Sequence, residues 1–60
     1  MKKEIIRRFP AKHGEVTVTA YTENGHTEYA VRHTLPAIET FWTVEPFLAI
    51  RHAQFLAAKY

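Results

Sequence analysis

The chain has 60 residues, 47% hydrophobic and 23% charged, with a formal charge of +2, a pI near 9.2 and no Cys. Such a length allows one small domain, residues 1–60, that buries only roughly 60% of the surface its unfolded chain exposes. Without Cys there are no disulfides and no thiolate zinc sites to reinforce it, which leaves a partner subunit as the expected support. The composition is too apolar for a disordered chain, and no stretch approaches the roughly 20 apolar residues of a membrane span. The N-terminal "MKKEIIRRF" has only two consecutive aliphatics, too few for a secretory signal. A cytoplasmic protein is expected.

In chain order, Lys3 to Phe9 reads as a first strand that ends at Pro10, with "PAKHG" leading into the next. Ile5 and Ile6 are adjacent and must point to opposite sides of a regular strand. We assign Ile5, Arg7 and Phe9 to one side and Glu4, Ile6 and Arg8 to the other.

The stretch "TAYTENGHTEYAV", Thr19 to Val31, carries Asn24-Gly25 at its centre. A type I′ turn needs positive φ at both central residues, which Asn and Gly tolerate, so this pair between alternating segments predicts a hairpin. Counting outward from the turn pairs Glu23 with His26, Tyr21 with Glu28, Thr19 with Ala30, Val18 with Val31 and Val16 with His33. Alternation then puts Val16, Val18, Ala20, Tyr29 and Val31 on an inner face, and Thr17, Thr19, Tyr21, Glu28, Ala30 and Arg32 on a face expected to be wet. A slip of one residue would turn the valines to water, so the register is strongly specified. The strand from Glu15 to Thr22 carries no charge after Glu15 and suits the middle of a three-stranded meander. Charged strands at the edges discourage edge-to-edge pairing.

In "LPAIETFWTV", Ile38, Thr40 and Trp42 alternate with Glu39, Phe41 and Thr43, a pattern compatible with either a short fourth strand or an irregular loop. The last segment, Thr43 to Tyr60, predicts a helix with Thr43 as its cap, Pro46 in the first turn, and Glu45 and Lys59 matching the two ends of the dipole. At 100° per residue Ala49, Ile50, Ala53, Leu56, Ala57 and Tyr60 share one face that can cover the sheet. The fold class expected is therefore α+β: a three-stranded antiparallel meander, with or without a short fourth strand, packed on one C-terminal helix.

The far side of that helix carries a second apolar set. Phe47, Leu48 and Phe55, with Arg51 and with Trp42 from the preceding segment, have the composition of an interface centre. The competing reading packs Phe47 and Phe55 under "ETFW" and completes one core.

Other chemistry finds little support. His13, His26, His33 and His52 lack the spacing of a metal site, and His33 is expected as a hydrogen-bonded imidazole at the edge of the core. There is no Ser, no Cys and no glycine-rich phosphate loop, and the six carboxylates are scattered. We expect no catalytic residue, metal or cofactor. The helix has too few cations for an interfacial membrane helix, so no membrane partner is expected.

Three antiparallel strands followed by a helix resemble, in architecture alone, small AP2-like and integrase arm-binding domains, and this architecture can lay a sheet face into the DNA major groove. The sequence departs from those domains in that the proposed wet face carries one Arg, Arg32, beside Glu28, where phosphate contacts need several cations; the alternative nucleic-acid surface therefore adds to Arg32 a basic rim of Lys2, Lys3, Arg7, Arg8 and Lys12, residues that solvated strand-edge charges equally account for. The leading expectation is a small non-enzymatic accessory protein, an inhibitor or adaptor of the size found in phages and plasmids. It binds itself as a homodimer and one further protein through Trp42, Phe47, Leu48, Arg51 and Phe55.

Overall fold

A computed structural model describes all 60 residues. Strands β1 (Lys2–Pro10), β2 (Glu15–Glu23), β3 (His26–His33) and β4 (Phe41–Thr43) precede a single helix, α1 (Pro46–Lys59). They form one antiparallel sheet in the order β1-β2-β3-β4. The meander is therefore extended by a short fourth strand, and the fold is α+β.

The β2–β3 register runs from Glu23 opposite His26 to Val16 opposite His33, as the turn dictates. Asn24 and Gly25 take φ of 51° and 79°, the left-handed values a type I′ turn requires. The Thr22 and Thr27 hydroxyls share a cross-strand hydrogen bond of 3.0 Å that ties the strands just behind the turn. With this register set, Val16, Val18 and Val31 fall together on the inner face, each with no exposed surface.

β1 departs from a regular strand. Ile5 pairs with Thr19 and Arg7 with Val18, so Ile6 is an extra residue. A bulge lets two residues oppose one and restores the pleat on the other side of it. The assignment of Ile5 to the side of Arg7 and Phe9 is corrected by this: Arg7 and Phe9 share the inner face with Val18 and Val16, while Ile5 joins Thr19 on the outer face. The chain thereby accommodates two adjacent isoleucines without driving either into the helix.

Helix α1 covers the inner face. Ala49, Ala53 and Leu56 are buried against the three valines, and Ile50, Ala57 and Tyr60 pack beside them, which is the stripe that helical periodicity gives. Two alanines at the closest approach let the backbone sit near the sheet. Each buried valine contributes about 1.5–3 kcal/mol relative to exposure, and with only six residues in the core cluster the core is small. The helix begins at Pro46, not at Thr43. Thr43 ends β4, and its hydroxyl accepts a hydrogen bond from the Glu45 N–H at 3.1 Å, stabilising the turn before the helix. The N-cap residue is Glu45, and its side chain makes no cap bond.

The far end is held by backbone bonds. The His13 N–H donates to the Tyr60 carbonyl at 3.1 Å, which fixes the end of the helix to the β1–β2 turn. His33 closes the core there. Its Nδ1 accepts from the Leu35 N–H at 3.0 Å, its ring meets Tyr60 edge-on with centroids 5.6 Å apart, and its Nε2 is enclosed without a partner.

Candidate functional site

Two surfaces remain open, one on each side of the molecule. On α1, Phe47 is 81% exposed, Phe55 58% and Leu48 48%, so the alternative in which these rings complete the core does not hold. The helix cannot turn them inward because Ala49, Ala53 and Leu56 already occupy the face against the sheet.

The far side of α1 is divided. Phe47 lines a shallow hollow with Arg7, Pro46 and Ile50 on the β1 flank. Leu48 and Phe55, four residues before and three after His52, lie on the β4 flank. His52 is sandwiched there, stacked on Phe41 with centroids 4.1 Å apart and tilted to Phe55 at 6.2 Å. Arg51 is exposed between the two flanks. Lys59 lies over the Phe55 ring at 5.6 Å. The helix carries Arg51 and Lys59 and no carboxylate of its own.

Trp42 is not part of this surface. Its pairing with Ala30 on β3 puts it on the outer face of the sheet, with the whole sheet between it and Phe55. That outer face is less wet than alternation suggests. Ile5, Thr19, Ala30 and Trp42 stand directly opposite one another in a row across all four strands. The two small residues in the middle are closed from water, Thr19 at 2% and Ala30 at 0%, whereas Ile5 and Trp42 at the ends are 44% and 48% exposed.

Arg32 explains part of this closure. Its guanidinium lies 5.5 Å from the Tyr21 ring centroid and 5.7 Å from that of Trp42 and donates to the Tyr21 hydroxyl. The Tyr21 and Trp42 rings themselves are 5.4 Å apart at 41°. A planar, weakly hydrated cation stacks well on aromatic faces, and the assembly roofs over Thr19 and Ala30.

The charges on the outer face are unevenly paired. Arg8 and Glu15 form an ion pair at 3.0 Å, and no other carboxylate is bridged. Glu23 and Glu28 rim a hollow with Tyr21, Trp42 and His26 at the hairpin end. Of the residues considered for nucleic acid, Lys3, Arg8 and Arg32 belong to the outer face by their pairing with Tyr21 and Thr17. Arg7 belongs to the inner face and lies over the Phe9 ring at 4.9 Å, and Lys12 is exposed in the β1–β2 turn. The structure thus brings three of these residues together and separates the others.

No group of three or more His or carboxylate side chains comes together in metal-binding geometry, and no helix is long and apolar enough to cross a membrane. The outer row was absent from the sequence reading although alternation already grouped Thr19 with Ala30. The placement of Ile5 depends on the bulge and that of Trp42 on β4, and neither signal was decisive. No protein-family model, curated protein or solved structure matches this chain.

Proposed function

We propose that this chain is a small non-enzymatic binding protein that works by protein contact, first with a second copy of itself and then with one further protein, as a regulator of the inhibitor or adaptor type in the cytoplasm. The observation that carries this reading is the exposure of Phe47, Leu48 and Phe55 on a helix whose opposite face already fills the core. Large apolar side chains with an Arg among them are the composition of interface centres. The small core gives a second reason, because a domain of this size gains stability from burying further surface in an assembly.

Light scattering on a size-exclusion column tests it. The wild type should run at about twice the 7.0 kDa of the chain, independently of salt and without absorbance from nucleic acid, and Phe55→Asp should bring it to the monomer mass with an unchanged circular dichroism spectrum. A monomeric wild type at millimolar concentration rejects the proposal.

A second reading is favoured by one observation, the Tyr21–Arg32–Trp42 stack with Lys3 5.9 Å over the Tyr21 ring. Exposed rings among cations can stack bases of a single strand while the cations meet phosphates. Binding of this kind weakens steeply with salt and quenches the single Trp. Unaltered Trp42 fluorescence on titration with oligonucleotide at low salt rejects it.

A further inference from the structure

Resting on the further-protein part of that reading and not on self-association, we propose that the free edge of β1 takes an extended acidic segment of another protein as an added strand. One large apolar side chain of that segment enters the hollow of Arg7, Pro46, Phe47 and Ile50.

β1 is an outer strand of the sheet, with β2 on one side and no strand on the other. Its nine residues present a row of unpaired backbone N–H and C=O groups, whereas the opposite edge, β4, offers three residues. Such an edge accepts an extended peptide by main-chain hydrogen bonds, and pockets for alternate side chains then select its sequence. α1 provides one such pocket. Its small residues Ala49 and Ala53 lie on the valines of β2 and β3, while Phe47, 81% exposed, stands away from them on the β1 flank. The hollow there, about 300 Å³, takes a side chain and not a whole helix, which is about 10–12 Å across. An added strand would run about 4.8 Å outside β1, and a side chain on its inner face would rise beside Arg7 toward the Phe47 ring.

The chemistry of the occupant follows from the charges. β1 carries Lys2, Lys3, Arg7 and Arg8 against a single carboxylate, Glu4, and only Arg8 has an ion-pair partner, Glu15. By the pairing with β2, Lys2 and Arg7 lie on the inner face and Lys3 and Arg8 on the outer one. Acidic residues on either face of the added strand therefore meet a cation. The start of α1 adds to this. Glu45 forms no side-chain cap bond, and the N–H groups of Phe47 and Leu48 have no hydrogen-bond partner within the chain. The positive end of the helix dipole is thus open beside Arg7. An acidic segment with apolar residues at its centre satisfies the edge, the hollow and the charge together.

A second copy fits this edge poorly. Two β1 strands side by side would double the surplus of cations, and like charges opposite one another destabilise a strand pair. The bulge at Ile6 also bends the strand, so a second rigid sheet cannot pair along the whole edge, whereas a short flexible segment follows the bend. Charge and bulge guard β1 against its own kind and leave it open to an acidic strand. Leu48 and Phe55, on the other flank, remain for self-association.

Peptide titration tests this. The probe is fluorescein-labelled Asp-Glu-Val-Phe-Val-Glu-Asp, followed by anisotropy at low salt. Wild type should bind it at submillimolar concentration, and the affinity should fall as salt rises. Replacing the central Phe of the peptide with Ala, or using the exposed-site variants Phe47→Ala and Arg7→Glu, should each weaken binding about tenfold. Methylating every second backbone nitrogen of the peptide should abolish binding in one of the two phases and spare it in the other, since only alternate residues of an added strand face β1. Phe55→Asp should bind as wild type does. A peptide that fails to bind at millimolar concentration, or one whose binding ignores Phe47→Ala and both methylation patterns, overturns strand addition, whatever the mass of the wild type. A monomeric wild type that binds the peptide with these dependences removes self-association and leaves strand addition standing.

Discussion

A Cβ on Gly14 would stand 2.0 Å from the Thr34 hydroxyl oxygen. Thr34 cannot simply move away, because that same oxygen accepts the Glu15 N–H at 3.1 Å while the Thr34 N–H donates to the Glu15 carbonyl at 3.1 Å. Gly14 also holds φ of 92°, outside what L residues adopt without strain. Gly14→Ala should therefore cost about 3 kcal/mol, combining backbone strain with a steric conflict, and lower the melting temperature by well over 10 °C on the scale of about 4–8 °C per kcal/mol for a domain this small. A melting temperature within a few degrees of wild type would show that the turn relaxes.

Gly25 separates those two causes. Its φ is 79°, but an added Cβ meets nothing within 4 Å. Gly25→Ala should then cost only the strain of a left-handed alanine, about 1–2 kcal/mol, and urea denaturation of the two variants side by side should rank Gly14→Ala as the more damaged. Equal losses would mean that Thr34 gives way without cost.

The hairpin and the helix were legible because each is specified locally and more than once. Asn24-Gly25 sets the turn, a two-residue loop then fixes every pair back to Val16, and the spacing of Ala49, Ala53 and Leu56 gives the same buried face by counting. The bulge at Ile6 was not legible, since regular alternation is the default and nothing beside the two isoleucines announces an extra residue. β4 is only three residues long, too short for a period to stand out, and the face of Trp42 depends on it. The same uncertainty grouped Trp42 with Phe55. The exposed helix surface was visible as a surplus of large apolar residues, but their division between the β1 and β4 flanks follows from where the helix sits on the sheet, which is a tertiary fact.

Helix seating makes a prediction of its own. Ala53 has no exposed surface, and its small side chain sets how near α1 comes to β2 and β3. Ala53→Leu inserts three carbon atoms into that contact and should destabilise by about 1–3 kcal/mol through overpacking. Ala58→Leu, on the exposed side, should change monomer stability by less than about 0.5 kcal/mol. Chemical denaturation of both checks the pair, and a stable Ala53→Leu would mean that the helix can ride outward without losing its contacts with the valines.

Arg32 supplies the last prediction, because its guanidinium is held by two rings and a hydroxyl on a face that otherwise meets water. Replacing it with Ala removes the roof over Ala30 and Thr19, and should cost about 1 kcal/mol from the lost cation–π contacts and hydrogen bond. Arg32→Lys keeps the charge but has no planar group to lie against both rings, so it should behave closer to Ala than to Arg. The chain has a single Trp, which makes the readout direct. In either variant, Trp42 emission should shift to longer wavelength as the indole loses its cover and meets more water. If Lys preserves both the stability and the emission maximum of wild type, charge alone holds this face together and the stacked geometry contributes nothing.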